Sequence, residues 1–205
     1  MTVFKHLASA SAISATALIL STSPFWAQDA LYSDVAPEDA VFVRLLDQDL
    51  TQVDMGGDIV ERAPDVGTAY IAISQSELKT EPAARHLSYV LDDNGTPRAI
   101  PEPDREDLSK VHLMLLNSAS EQMRLIIADN KMQVIAPTDS FNAASRAVNP
   151  VSVVLAVQRV SDGAILSEFD LRLSRGQNVT FLAKDDQAVL IENSFGPVMS
   201  LTSGG

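Results

Sequence analysis

Phe169-Asp170-Leu171-Arg172-Leu173 alternates apolar and charged side chains, so in an extended chain three apolar groups share one face and two charged groups the other. One dry face and one wet face mark a strand of an antiparallel sheet. The same period of two recurs downstream in Val179 and Phe181, and upstream in Val151, Val153, Leu155 and Val157. It continues through Val111, Leu113 and Leu115, then Ile71 and Ile73, to Val41, Val43 and Leu45. Turn-forming clusters separate these runs: Gly56-Gly57-Asp58, Asp92-Asp93-Asn94-Gly95, Asp129-Asn130, Ser161-Asp162-Gly163, Ser174 to Asn178, and Lys184-Asp185-Asp186. Short strands at short intervals, with no long amphipathic helix, predict an all-β fold of the sandwich class. Asp162-Gly163 tolerates positive φ at low cost and predicts a hairpin.

The segment Thr96 to Asp107 breaks the pattern, with Pro97, Pro101 and Pro103 set among charges and little apolar content. Prolines lack the N–H that a sheet ladder needs, so this stretch reads as an extended, solvated linker poorly able to join a sheet. The expected layout is two small antiparallel β-sandwich domains, residues 28–95 and 108–205, joined by a Pro-rich linker over 96–107. An internal echo supports two related domains. Val41-Phe-Val-Arg-Leu-Leu-Asp47 aligns with Val111-His-Leu-Met-Leu-Leu-Asn117, and Gln52-Val53 then falls opposite Gln122-Met123.

Ahead of these domains, Lys5 precedes an apolar run from Leu7 to Leu20 and a small, polar stretch ending Ala27-Gln28-Asp29, the layout of a secretory signal over residues 1–27. The run of 14 residues is shorter than the ~20 that cross a bilayer as a helix. Export, and in a bacterium the periplasm, is the expected destination. The chain has no cysteine, which excludes a disulfide scaffold, a thiolate metal site, a cysteine nucleophile and a lipidated cysteine. Formal charge is −12 for the whole chain and −13 without the single cation of residues 1–27. A field of that sign repels nucleic acid, and no basic run in the sequence offsets it, so nucleic-acid binding is excluded.

Reactive constellations are absent from the sequence. Only His86 and His112 lie beyond residue 27, neither with a companion at metal-ligand spacing, and His112 reads as a solvent-facing strand residue. No Gly-x-Ser-x-Gly elbow occurs, and Gly57-Asp58 is followed by Ile59 where esterases of the SGNH type carry serine. Glu102, Asp104, Glu106 and Asp107 could pair as catalytic carboxylates but fall in the expected linker, where a charge run is ordinarily solvated. No catalytic residue, metal or cofactor is therefore expected. A generic carbohydrate-binding or adhesion sandwich is the alternative reading, and it would need an exposed aromatic strip. Beyond Trp26, the aromatic residues are few.

Three stretches carry a family likeness: Ala30-Leu-Tyr-Ser-Asp-Val-Ala-Pro-Glu-Asp-Ala-Val-Phe-Val-Arg44, Ser145-Arg-Ala-Val-Asn-Pro-Val-Ser-Val153, and Leu173-Ser-Arg-Gly-Gln-Asn-Val-Thr-Phe181. They resemble the AlgF family, in order and over essentially the whole chain beyond the signal. The resemblance implies a periplasmic accessory protein of alginate O-acetylation, acting as an adaptor beside SGNH-type acetyltransferases and a membrane-bound O-acyltransferase. Alginate is a further candidate partner, although a polyanion is poorly matched to so acidic a protein. At the matched positions, Tyr32 and Arg44 near the first strand, with Arg146 and Asn149 in the second half, are the expected binding residues. Guanidinium forks suit interfaces and tyrosine serves as an interface anchor.

Overall fold

The computed structural model describes residues 35–105, 107 and 109–201. The expected signal peptide and Tyr32 lie outside them. Two strands organise the molecule, and both are nearly continuous apolar runs because both are covered on each face. The first, β1 (Ala40–Leu45), lies between β4 (Tyr70–Ser74), antiparallel with Val43 opposite Ile71, and β5 (His86–Leu91), parallel with Val43 opposite Leu87. At the edges of this N-terminal sheet, β6 (Pro97–Glu102) pairs antiparallel with β5 and β15 (Phe195–Val198) pairs parallel with β4. A hairpin of β2 (Gln52–Asp54) and β3 (Ile59–Glu61) covers one face, where Val53 and Val60 join Val41, Val43, Leu45, Ile71 and Ile73 in a core.

The second organising strand, β7 (Val111–Asn117), lies between antiparallel β10 (Asn142–Val148) and parallel β13 (Asn178–Ala183), and β14 (Ala188–Glu192) completes this central sheet. Its Leu113, Leu115 and Phe181 pack against Leu125 and Leu155 of an outer sheet. That sheet is ordered β12 (Ile165–Arg172), β11 (Ser152–Arg159), β8 (Met123–Ile127), β9 (Gln133–Thr138). The Asp162-Gly163 turn joins β11 to β12 as the sequence predicts, with Gly163 at φ 75°. On its other face the central sheet sends Met114, Leu116, Leu182 and Ile191 against Leu46, Val90 and Ile100 of the N-terminal sheet. Fully burying an aliphatic side chain is worth roughly 1.5–3 kcal/mol, so this third core binds the halves as firmly as an ordinary domain interior.

The sequence echo is a topological repeat. β1, β4, β5 and β6 correspond to β7, β10, β13 and β14, with a hairpin following the first strand in each half. The ladder registers then superpose Ser88 on Thr180, Ile100 on Ile191 and Glu102 on Asn193.

The fold is all-β, as expected, and four details depart from the sequence reading. Three strand pairs run parallel, β1 with β5, β7 with β13 and β4 with β15. In the first two, the chain re-enters beside its first strand only after a long crossover, and that connection permits the same direction. Residues 97–102 of the expected linker form β6, in which only Ile100 and Glu102 are buried. An edge strand leaves one row of N–H groups unpaired, so Pro97 and Pro101 are tolerated there. Residues 195–198, expected in the second domain, return to the first sheet as β15. His112 is buried, not solvent-facing, because its face of the central sheet meets the other half, and its Nε2 lies 2.8 Å from the Asp107 carbonyl.

Candidate functional site

Arg44 interrupts an apolar strand, and its face of β1 is turned toward the central sheet. A guanidinium there must be fully hydrogen-bonded and paired to persist. It is: Nε donates to Ser88 Oγ at 2.6 Å, Nη1 to Asn193 Oδ1 at 2.7 Å, and Nη2 to Glu102 Oε1 at 2.9 Å and Thr180 Oγ1 at 3.2 Å. The four partners form two repeat-related pairs, a hydroxyl and a side-chain oxygen from each half. Arg44 thereby bolts the two sheets together from one strand, while its repeat equivalent, Met114, is a buried apolar residue.

The cluster extends from Glu102. Its Oε2 accepts from the Tyr70 hydroxyl at 2.6 Å and from Arg105 Nη2, which also donates to the Tyr70 oxygen at 2.9 Å. Both Arg44 and Glu102 side chains are 0% exposed. The Arg44 guanidinium also lies 4.3 Å from the Tyr70 ring centroid, a cation–π contact. Burial alone would raise the Glu102 pKa, but Arg44 and Arg105, with the Ser88 and Tyr70 hydroxyls, hold it below the ordinary carboxylate value. Burial pushes the Tyr70 phenol up, against the opposing pull of Arg44. His86, stacked on Phe42 at 4.9 Å, is lowered to about 4 by burial and then by the Arg105 charge. Around neutral pH the cluster holds two guanidiniums, one carboxylate, a neutral phenol and a neutral imidazole. Ser88 donates to Glu102 and is fully buried, so no substrate reaches it. The chemistry of the arrangement is cohesion of the two halves.

Of the expected binding residues, Arg44 is therefore corrected to an interior position, closed to any partner by the central sheet. Arg146 and Asn149 lie near the end of β10, where it runs into β11, each with its own partner. Arg146 is exposed and donates to the Val134 carbonyl of β9 at 3.0 Å, and exposed Asn149 accepts from Lys110 Nζ at 2.7 Å. Sequence reasoning missed Tyr70, Ser88, Glu102, Arg105, Thr180 and Asn193. The exposed aromatic strip that a sugar-stacking module would use is not formed by the described residues. Phe42, Tyr70 and His86 pack on one another, and Phe195 alone among the described aromatics is exposed.

No family model matches the chain. Among curated proteins, the alginate biosynthesis protein AlgF of Pseudomonas fluorescens is 28% identical over 166 residues, which cover 75% of this chain and 76% of that protein. AlgF of Pseudomonas putida KT2440 is 26% identical over 194 residues, covering 86% and 88% respectively. The chain is similar to the AlgF proteins over most of its length. Among solved structures, the C-terminal domain of AlgF from P. aeruginosa aligns with 41% of this chain and 96% of its own, at 23% identity and a TM-score of 0.36. The N-terminal domain of the same protein aligns with 42% of this chain and 95% of its own, at 8% identity and a TM-score of 0.33. Two of the three AlgF-like stretches read from the sequence, 145–153 and 173–181, meet at one end of the C-terminal sandwich. There Gly176 N donates to the Lys110 carbonyl at 3.0 Å, and Lys110 Nζ reaches Asn149.

Proposed function

We propose that this chain is an exported, non-catalytic accessory protein of alginate biosynthesis, acting in O-acetylation of the polymer as an adaptor. The observation that carries the reading is the similarity to AlgF over about three quarters of the chain or more. Two further observations support it. The N-terminal 27 residues have the composition of a secretory signal, consistent with work in the periplasm. The most developed polar constellation of the described residues is sealed inside the molecule, with Arg44 and Glu102 at zero exposure, and suits a scaffold better than an active site. The acyl chemistry then belongs to partners, SGNH-type acetyltransferases and a membrane-bound O-acyltransferase, which this protein docks or positions.

The test is the acetyl ester content of secreted polysaccharide, read by infrared absorption in cells lacking the gene and in cells with it restored. The reading requires loss of the ester band with polymer yield preserved, and its return on restoration. An unchanged band in the deletion strain overturns it. Acetyl release from an activated ester by the purified protein would overturn the non-catalytic part alone.

A further inference from the structure

The C-terminal sandwich is electrically polar from end to end. At one end lie three turns, Ala128–Met132 between β8 and β9, Asn149–Val151 between β10 and β11, and Leu173–Gln177 between β12 and β13. They are tied together by Ala128 N to the Val154 carbonyl at 2.9 Å, Leu173 N to the Val151 carbonyl at 2.9 Å and Gly176 N to the Lys110 carbonyl at 3.0 Å. This end carries Lys110, Lys131, Arg146, Arg172 and Arg175, and among the described residues none of the five forms an ion pair. Arg146 and Lys110 donate to the neutral oxygens of Val134 and Asn149. Four carboxylates of the described residues stand among these five cations: Asp129 within the first turn, Asp107 lowered by its Ser109 hydrogen bonds and by the nearby Lys110 charge, Glu192 on the same rung of the central sheet as Arg146, and Asp170 two residues from Arg172. The opposite end carries Glu121, Asp139, Asp162, Asp185 and Asp186, and its Arg159 is committed to Glu121 and Asp162.

Two aliphatic side chains protrude at the basic end, Met132 at 56% exposure and Val151 at 48%. The Met132 tip is held in shape by Ile127 N to the Met132 carbonyl at 2.8 Å and Met132 N to Asn130 Oδ1 at 2.9 Å. A polyuronate would use the cations but has little use for bare aliphatic tips. A protein interface would use the three arginines, but the Trp or Tyr anchors that ordinarily accompany them are absent from this end among the described residues. A bilayer with anionic headgroups uses both features, since cations gain near a negative surface and small apolar tips enter the headgroup boundary.

We propose that this end of the C-terminal sandwich docks peripherally on an anionic bilayer, with Met132 and Val151 dipping into the headgroup region and Lys131, Arg146, Arg172 and Arg175 around them. The net charge of the whole chain opposes binding, so attachment is oriented, with the acidic remainder turned away. The inference does not depend on the role in acetylation.

The test is co-sedimentation of the purified protein with vesicles of phosphatidylglycerol and phosphatidylcholine, against phosphatidylcholine alone, over a salt series. Binding to the anionic vesicles that weakens as salt rises is expected, with none to the neutral ones. Lys131→Glu with Arg175→Glu should lower the anionic binding by about tenfold or more. Met132→Asp with Val151→Asp should lower it while thermal melting stays unchanged. Asp162→Ala with Asp186→Ala, at the far end, should not weaken it. Absence of binding at low salt, equal binding to neutral vesicles, or insensitivity to the basic-end variants overturns the proposal. So does full displacement from vesicles by soluble polyuronate, which would assign the surface to a polymer.

Discussion

Arg44 and Arg146 both come from AlgF-like stretches, both sit in strands, and they have opposite fates. Arg44 is enclosed between two sheets with four hydrogen-bonding side chains around it. Arg146 lies at the surface and donates to two backbone carbonyls, Val134 at 3.0 Å and Gln133 at 3.5 Å. What separates them is whether another sheet covers the strand at that point. β1 is central and covered on both faces, whereas β10 is the edge of its sheet. A cation that a second layer covers becomes a structural bolt, and one at an uncovered edge keeps its charge for solvent or a partner.

The largest effect that could break this comparison is the loss of the Arg44 guanidinium. Arg44→Ala leaves Glu102 buried with only Arg105 as its cation, and removing one partner of a buried pair costs about 3–5 kcal/mol. Urea unfolding should show that loss. Arg44→Met combined with Glu102→Gln and Arg105→Met, which removes every charge of the buried triad, should recover much of it, because replacing all partners of a buried ionic cluster by less polar groups is often close to neutral. Met is what the repeat already carries at the equivalent Met114. A single Arg44→Ala variant as stable as the parent would mean the cluster is not a bolt.

A second effect sharpens the comparison through pH. His86 is lowered from 6.5 to about 4 in the fold, so the unfolded chain takes up a proton first as pH falls. Its neutral form therefore contributes stability that is complete above about pH 6.5 and is lost progressively as pH falls from there toward about 4. Glu102, with a depressed folded value, contributes stability present above the unfolded carboxyl value and lost only as pH drops below it. The urea midpoint should thus decline in two stages on acidification. His86→Phe should flatten the upper stage and leave the lower one, and if the upper stage persists in that variant the imidazole is not its source.

Much of this architecture was legible in advance, and the misses share one cause. The alternation of Phe169 to Leu173 and the turn clusters gave the strands, and the echo of Val41–Asp47 in Val111–Asn117 gave the repeat. Glu102 was read as part of a solvated charge run because its prolines seemed to bar a sheet, yet it stands two residues from buried Ile100 on an edge strand. A signal did exist: a lone arginine in an otherwise apolar, doubly covered strand requires a buried carboxylate somewhere. His112 was misread for the same reason, since period two within one strand identifies faces but not what lies beyond each. The continuous apolar character of Val111 to Leu116 was the better guide. Arg146 and Asn149 are exposed where the sequence places them, but their company at the turn end, Lys110 and Arg175, arrives from distant sequence.

The smallest expected effect is the one that completes the comparison. Arg146→Ala removes two hydrogen bonds to carbonyls that are already solvated at a sheet edge, and exposed substitutions of this kind fall within about 0.5 kcal/mol. The urea midpoint and slope should match the parent within error. Its weight lies in the contrast with Arg44→Ala at the same residue type, in the same assay. If Arg146→Ala proved costly, the contacts to Gln133 and Val134 would be closing the sandwich edge between β9 and β10, and the basic end would owe its arginine to folding. If it is silent in stability, nothing in the fold requires a guanidinium there, and its presence in an AlgF-like stretch falls to what that end of the molecule touches.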